Sequence, residues 1–318
     1  MKRILVTGAT GQIGSELVPF LRSRYGADRV IAIGHSKKPS HELQDSGPYM
    51  SLDIRNHAAL DDIISHLEIG TVYHLAALLS AVAENQPLFA WDININGLLN
   101  VLESAKKHKC KLFHPSSIGA FGATTPHVDT PQETIQRPNS MYGVAKVSAE
   151  LLCDYYFTRY HLDTRGVRFP GLISHKTMPG GGTTDYAVDI FYAALRKKKY
   201  TCFLRPDTRL DMMYMPDALR ATVEIMEADP ARLCYRNAYN ISAMSFTPQE
   251  LAAEISKHIT GFQITYEIDP VRQAIADSWP DNMDDTPARE QWDWKSEYNL
   301  EQMTMDMLNN LANQAPKR

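Results

Sequence analysis

Short apolar runs alternate with helical stretches through the first two thirds of this 318-residue chain, and nothing else in the sequence constrains its fold as strongly. The runs fall at 3–8, 29–34, 49–54, 71–77, 110–117 and 163–169. Helical periodicity falls between them, at 12–26, 58–68, 88–108 and 140–160. Runs apolar on both faces predict parallel strands covered by helices on both sides. Right-handed crossovers make that a doubly wound α/β sheet of the Rossmann kind. The carboxyl ends of all the strands then share one edge, where such folds bind ligands. The remainder is less regular. A glycine-rich turn and helix at 179–199 and further helices at 216–230, 247–259 and 299–314 predict a smaller, interleaved carboxyl-terminal lobe. The expected division is 1–170 with 211–235 packing back on it, against 171–210 and 236–318.

The segment "VTGATGQIG" sets Gly8, Gly11 and Gly14 between the first strand and the first helix. Glycines there allow a tight turn and close backbone approach to a pyrophosphate, and the free N–H groups of the helix start face the anion. A stray glycine triplet says little, whereas one after a strand and before a helix is a dinucleotide signature. Gln12 and Ile13 sit inside this loop. An acid is expected at the tip of the second strand for the adenosine ribose. Gly34 stands there instead, followed by His35, Ser36, Lys37 and Lys38. A lysine could meet a 2′-phosphate, so the tip leaves NAD and NADP both open. Asp53 and Ile54, after the third strand, are placed to contact the adenine. Leu75, Ala76 and Ala77 border the cofactor after the fourth, with His74 read as packed rather than catalytic.

Composition excludes several classes. A net charge of −4 offers no basic surplus for nucleic acid. No run of eighteen apolar residues is present, so no membrane span is expected. The four cysteines are far apart, form no CxxC pair and read as reduced thiols. The eleven histidines are scattered without an HExxH, so no metal site is expected. With no apolar leader pattern at the amino terminus, the chain reads as cytoplasmic.

"YGVAK" places Tyr142 and Lys146 on one helical face, which many helix surfaces do. Together with "TGATGQIG", "HLAA", Asn94 in "NING" and "PSSIGAFG", it gives the chain a resemblance to the extended short-chain dehydrogenase/reductase family over nearly its whole length. The resemblance implies that Tyr142 exchanges a proton with the substrate, that Lys146 binds the nicotinamide ribose and lowers the phenol pKa, and that Ser117 holds the substrate oxygen. Ser116 is the neighbouring candidate for that last role. It also implies cofactor contacts from Asn94 and Pro170. Free tyrosine titrates near 10, so a phenolic base working near neutrality needs a neighbouring cation.

More specific stretches resemble the L-threonine 3-dehydrogenase branch: "AALLSAVAE", "TPHVDTPQETIQRP", "RFPGLIS", "PGGGTTDYAVDIFYAAL" and "SWP". This implies oxidation of the 3-hydroxyl of L-threonine to 2-amino-3-oxobutyrate with NAD as acceptor. Ser80, Thr184 and Asp185 would hold the amino acid, with Trp279 closing over it. The alternative for Asp185 is a role at the start of the following helix. A lid is expected from 178–186 and the region around 279, and a homodimer through the helices at 88–108 and 140–160. The rivals are a nucleotide-sugar epimerase or dehydratase using the same three residues, and a dinucleotide sensor without chemistry.

Overall fold

In the computed structural model, which describes residues 2–178 and 180–314, the first strand already shows why the sheet is covered twice. In β1 (Arg3–Thr7), Ile4 and Val6 join one apolar cluster and Leu5 joins another. In β2 (Val30–Gly34) the alternation repeats, with Val30 and Ala32 on one side and Ile31 and Ile33 on the other. Successive side chains of a strand point to opposite faces, so each strand feeds two cores. β3 (Tyr49–Ser51), β4 (Ile69–His74) and β5 (Lys111–Phe113) continue the sheet. Beyond β6 (Ser116–Ser117), β7 (Thr164–Arg165) ends it. The order is β3-β2-β1-β4-β5-β7, all parallel. The order reverses between β1 and β4, and a crevice opens at the carboxyl ends of such a pair.

Helices Gly14–Tyr25 and Met215–Glu227 cover one face through Leu17, Leu21, Ala218 and Val223. Helices His57–His66, Gly97–His108 and Met141–Tyr160 cover the other through Leu60, Leu98, Leu102 and Ala149. Each such buried leucine contributes about 1.5–3 kcal/mol. A third cluster, with Phe191, Leu251 and Met307, forms the core of the carboxyl-terminal part.

Three expectations change, the first being that the run at 110–117 divides into β5, in the main sheet, and β6, in another. The run at 163–169 is not one strand: β7 stays in the main sheet, while β8 (Val167–Phe169) pairs with β6 and with Tyr239–Asn240. The break falls at Gly166, whose N–H donates to Arg236 and whose carbonyl accepts from Tyr239, so the chain leaves one ladder for another. The helix expected at 88–108 is Pro87–Trp91, a π-helical turn over Asp92–Asn96, and Gly97–His108. Such turns bulge a helix locally and gather at functional sites. The short parallel pair Lys199–Cys202 and Gln263–Tyr266 had no signal in the sequence, because its strands are half exposed and only four residues long. Among the described residues no helix is long and apolar enough to cross a membrane.

Candidate active site

The loop after β1 is packed by backbone alone. Gly8 holds φ at +70°, and a Cβ on it would lie 2.6 Å from the Ala76 nitrogen and the Leu75 carbonyl carbon. A Cβ on Gly14 would lie 2.3 Å from the Gly8 oxygen. The loop therefore seats directly on the chain leaving β4, and the helix that begins at Gly14 points its free N–H groups into the crevice. That crevice is a cavity of about 620 Å³. Gly8, Gly11, Gln12, Ile13 and Gly14 line its first wall. Asp53, Ile54, Leu75, Ala76 and Ala77 line the wall beside it. Asn94 does not line the cavity. It sits in the π-helical turn, accepting from the Leu78 N–H at 2.8 Å and donating to the Leu78 carbonyl at 3.1 Å, and so fixes the segment that does.

Gly34 is closely packed. A Cβ there would fall 2.5 Å from the Tyr49 hydroxyl oxygen and 2.9 Å from the Thr10 methyl, so an acid would have to displace these two side chains. The nearby carboxylate is Asp53. Arg55 donates to it at 2.6 Å and holds it well below the usual range, at about 2.

The opposite wall carries the titratable groups. Ser140 caps the helix Met141–Tyr160, its hydroxyl accepting from Gly143 at 3.1 Å, and this sets Tyr142 on the first turn and Lys146 one turn later. The Tyr142 ring lies against Gly119, where a Cβ would approach it to 3.2 Å. Burial pushes the phenol pKa up, and a hydrogen bond with Ser117 pulls it back. Lys146 donates to the Pro115 carbonyl at 2.6 Å, and its Nζ lies 5.5 Å from the centre of the Tyr142 ring. Burial lowers this ammonium to about 8, and Glu150 opposes the shift. In the protein alone burial outweighs the Ser117 hydrogen bond, and the phenol stays raised. Ser117 also accepts from the Gly119 N–H at 3.1 Å and lines the cavity. Ser116 is committed elsewhere, donating to Glu150. His74 is buried, hydrogen-bonded to Thr7 at 2.7 Å and stacked on His114. Burial brings its pKa down to about 3, so it stays neutral.

A model of the NAD dependent epimerase/dehydratase family matches residues 4–242. The chain belongs to the NAD-dependent epimerase/dehydratase family. It is 54% identical over 97% of both chains to an uncharacterized epimerase/dehydratase of Staphylococcus haemolyticus. It is similar to the X-ray structure of L-threonine dehydrogenase from Clostridium difficile, with TM-score 0.97, 53% identity, and coverage of 100% of this chain and 99% of that one. It is also similar to a monomeric L-threonine 3-dehydrogenase from a metagenome, with TM-score 0.94, 46% identity, and coverage of 98% and 99%. The family cofactor is NAD. The residues present fit it: Gly8 and Gly14 pack backbone to backbone, a Cβ on Gly11 would meet only the Gly8 oxygen at 3.2 Å, and the loop so formed lines the cavity with main chain at the start of a helix.

Ser80, Thr184, Asp185, Trp279 and Pro170 line the same cavity. Ser80 is buried, and Trp279 belongs to the carboxyl-terminal core as well as to the cavity wall. Asp185 accepts from the Gly181 and Gly182 N–H groups at 2.8 and 2.7 Å, so those two donors are occupied by the protein itself. Burial raises its pKa, against those hydrogen bonds. Pro179, in the expected lid segment, lies outside the described residues.

Sequence reasoning missed the support behind Lys146. Glu150 follows it by one turn, accepting from Arg168 at 2.8 and 3.0 Å and from Gln136 at 2.8 Å. Arg168 in turn donates to the Gln132 carbonyl and to Asn240. An acid four positions after the lysine was the available signal, but its partner lies on another strand.

Proposed function

We propose that the chain oxidises L-threonine at the 3-hydroxyl to 2-amino-3-oxobutyrate, with NAD as hydride acceptor. The observation that carries the reading is that Tyr142, Lys146 and Ser117 line the same cavity as Gly8, Gly11 and Gly14. The likeness to solved L-threonine dehydrogenases over nearly the whole chain supports the choice of substrate.

In this reading Ser117 positions the substrate hydroxyl oxygen, and Tyr142 Oη takes its proton while the C3 hydrogen leaves with its electron pair. Lys146 holds the nicotinamide ribose and presents its ammonium to the phenol. NAD, when bound, accepts the hydride and adds a positive ring beside the phenol. Those two cations oppose the desolvation that raises Tyr142, so activity rises with pH through the neutral range. Ser80 and Thr184 supply hydroxyls for the substrate carboxylate, the free oxygen of Asp185 faces the ammonium, and Trp279 covers the site. Residues 1–170 with 211–235 hold the dinucleotide, and 171–210 with 236–318 hold the amino acid.

Leu88, Leu151 and Tyr155 are exposed on the two helices expected to pair, and a cytoplasmic homodimer would cover them. A sedimentation run showing only monomer removes the dimer and leaves the chemistry untouched.

The deciding experiment mixes protein, NAD and L-threonine and follows the absorbance of reduced nicotinamide. Turnover of a UDP-sugar without any threonine signal selects the epimerase instead.

A further inference from the structure

The adenosine end of the cavity carries an unusual charge distribution for a site that is to accept only an unphosphorylated ribose. Selection of NAD ordinarily rests on a carboxylate at the tip of the second strand, which hydrogen-bonds the ribose hydroxyls and repels a 2′-phosphate. Here Gly34 stands in place of that carboxylate, and the Tyr49 hydroxyl and Thr10 side chain lie where its Cβ would be. The residues that follow, His35, Ser36 and Lys37, line the cavity and are exposed at its rim. Among the described residues no hydrogen bond or ion pair engages the Lys37 ammonium. The carboxylate that does reach this end, Asp53, is neutralised by Arg55 at 2.6 Å and has the His35 ring 3.8 Å away. Asp53 therefore contributes little uncompensated negative charge, while Lys37 adds a positive one.

We propose that this pocket binds the 2′-phosphorylated dinucleotide NADP as well as NAD, with Lys37 and the His35–Ser36 backbone turn receiving the phosphate. The inference rests on the dinucleotide reading of the cavity and adds a second ligand to it. A lysine meets phosphate as a point charge, and the exposed Ser36 adds a hydroxyl donor. Because these groups are exposed, their attraction is screened by salt.

Calorimetric titration of the full chain with NAD and with NADP tests this without reference to turnover. The expected result is NADP affinity within about tenfold of NAD affinity at low salt, with the NADP:NAD affinity ratio falling as ionic strength rises. Lys37→Ala should lower that ratio by about tenfold. Because Lys37 is exposed, this variant folds as the parent does, and a circular dichroism melt verifies it. NADP binding more than about a hundredfold weaker than NAD overturns the proposal, as does a Lys37→Ala variant whose two affinities fall together. Failure to bind either dinucleotide overturns the reading beneath it instead.

Discussion

The two long walls of the cavity are built on opposite principles. The wall around Gly8, Gly11 and Gly14 is backbone, and it works by the absence of side chains. The wall around Tyr142 and Lys146 is all side chain, and it works by removing charge from water and then supporting it with Glu150 and Arg168. A steric wall fails locally when one atom is added. An electrostatic wall fails along its whole chain of partners when one member is neutralised, because each buried charge relies on the next. Substitutions should therefore separate the walls by what they damage: shape and cofactor affinity on one side, protonation and turnover on the other.

The largest effect belongs to the electrostatic wall. Tyr142→Phe removes one oxygen and leaves the ring against Gly119, so turnover should fall by about a thousandfold or more while NAD affinity changes less than about twofold. Equal loss of binding and turnover would place Tyr142 in the binding surface and end the distinction between the walls. Next comes Glu150→Gln, which leaves Arg168 buried without its anion and should cost about 3 kcal/mol in denaturant unfolding. The same change removes the charge that raises Lys146, so the ammonium loses its proton at lower pH than the present value of about 8. The alkaline limb of the rate profile should move to lower pH. A stability loss with an unmoved limb means that Glu150 supports only the fold.

The steric wall should break in a different way. Gly8→Ala brings a Cβ to 2.6 Å from backbone atoms of residues 75 and 76 at φ +70°, and should cost about 2–3 kcal/mol. It should weaken NAD while leaving the pH profile of any remaining turnover in place. A shifted profile would mean that the walls are coupled.

A buried acid without a cation sharpens the point about partners. Asp211, on the strand Leu210–Tyr214, accepts from the Met283 N–H at 3.0 Å, and burial raises it to about 8. The native state thus keeps a proton that the unfolded chain releases near 3.8. Its stabilising contribution is complete below that lower value and is lost as pH climbs toward 8. The slope amounts to about 2 kcal/mol between roughly pH 5 and 6.5. Asp211→Asn should flatten the dependence of the thermal midpoint on pH over that window. Parallel curves for the two proteins count against a protonated Asp211.

These contrasts also explain which parts of the site were legible in the chain. Gly8, Gly11 and Gly14 are legible because a tight strand–helix turn is a local requirement, written in adjacent residues. Tyr142 and Lys146 sit at a fixed spacing on one capped helix, and with Ser117 of β6 they are legible through the resemblance of their motifs. The crowding at Gly34 is not, since Tyr49 reaches that position only after β2 pairs with β3. Nor is Arg168, which reaches Glu150 only because the run at 163–169 splits and β8 moves beside β6. Asn94 was given a cofactor contact from its motif, but a π-helical turn directs its amide to Leu78. Periodicity gives no sign of such a turn, since it shifts the helix by a single residue.

The smallest effect tests whether the walls move together. Ser15, in the first turn of the helix after the glycine loop, shares a 2.8 Å hydrogen bond with Thr177, just before the glycines at 180–182. This side-chain contact ties the start of the first helix to the residue immediately before the segment 178–186 expected to form a lid. Ser15→Ala should cost at most about 1 kcal/mol of global stability, the net value of one such bond. Its sharper signature should be local: faster hydrogen exchange at residues 180–185 than in the parent when NAD is bound, with exchange in β1 unchanged. Identical exchange at 180–185 in both proteins would mean that the segment closes without reference to the glycine loop. The steric wall would then serve the dinucleotide alone.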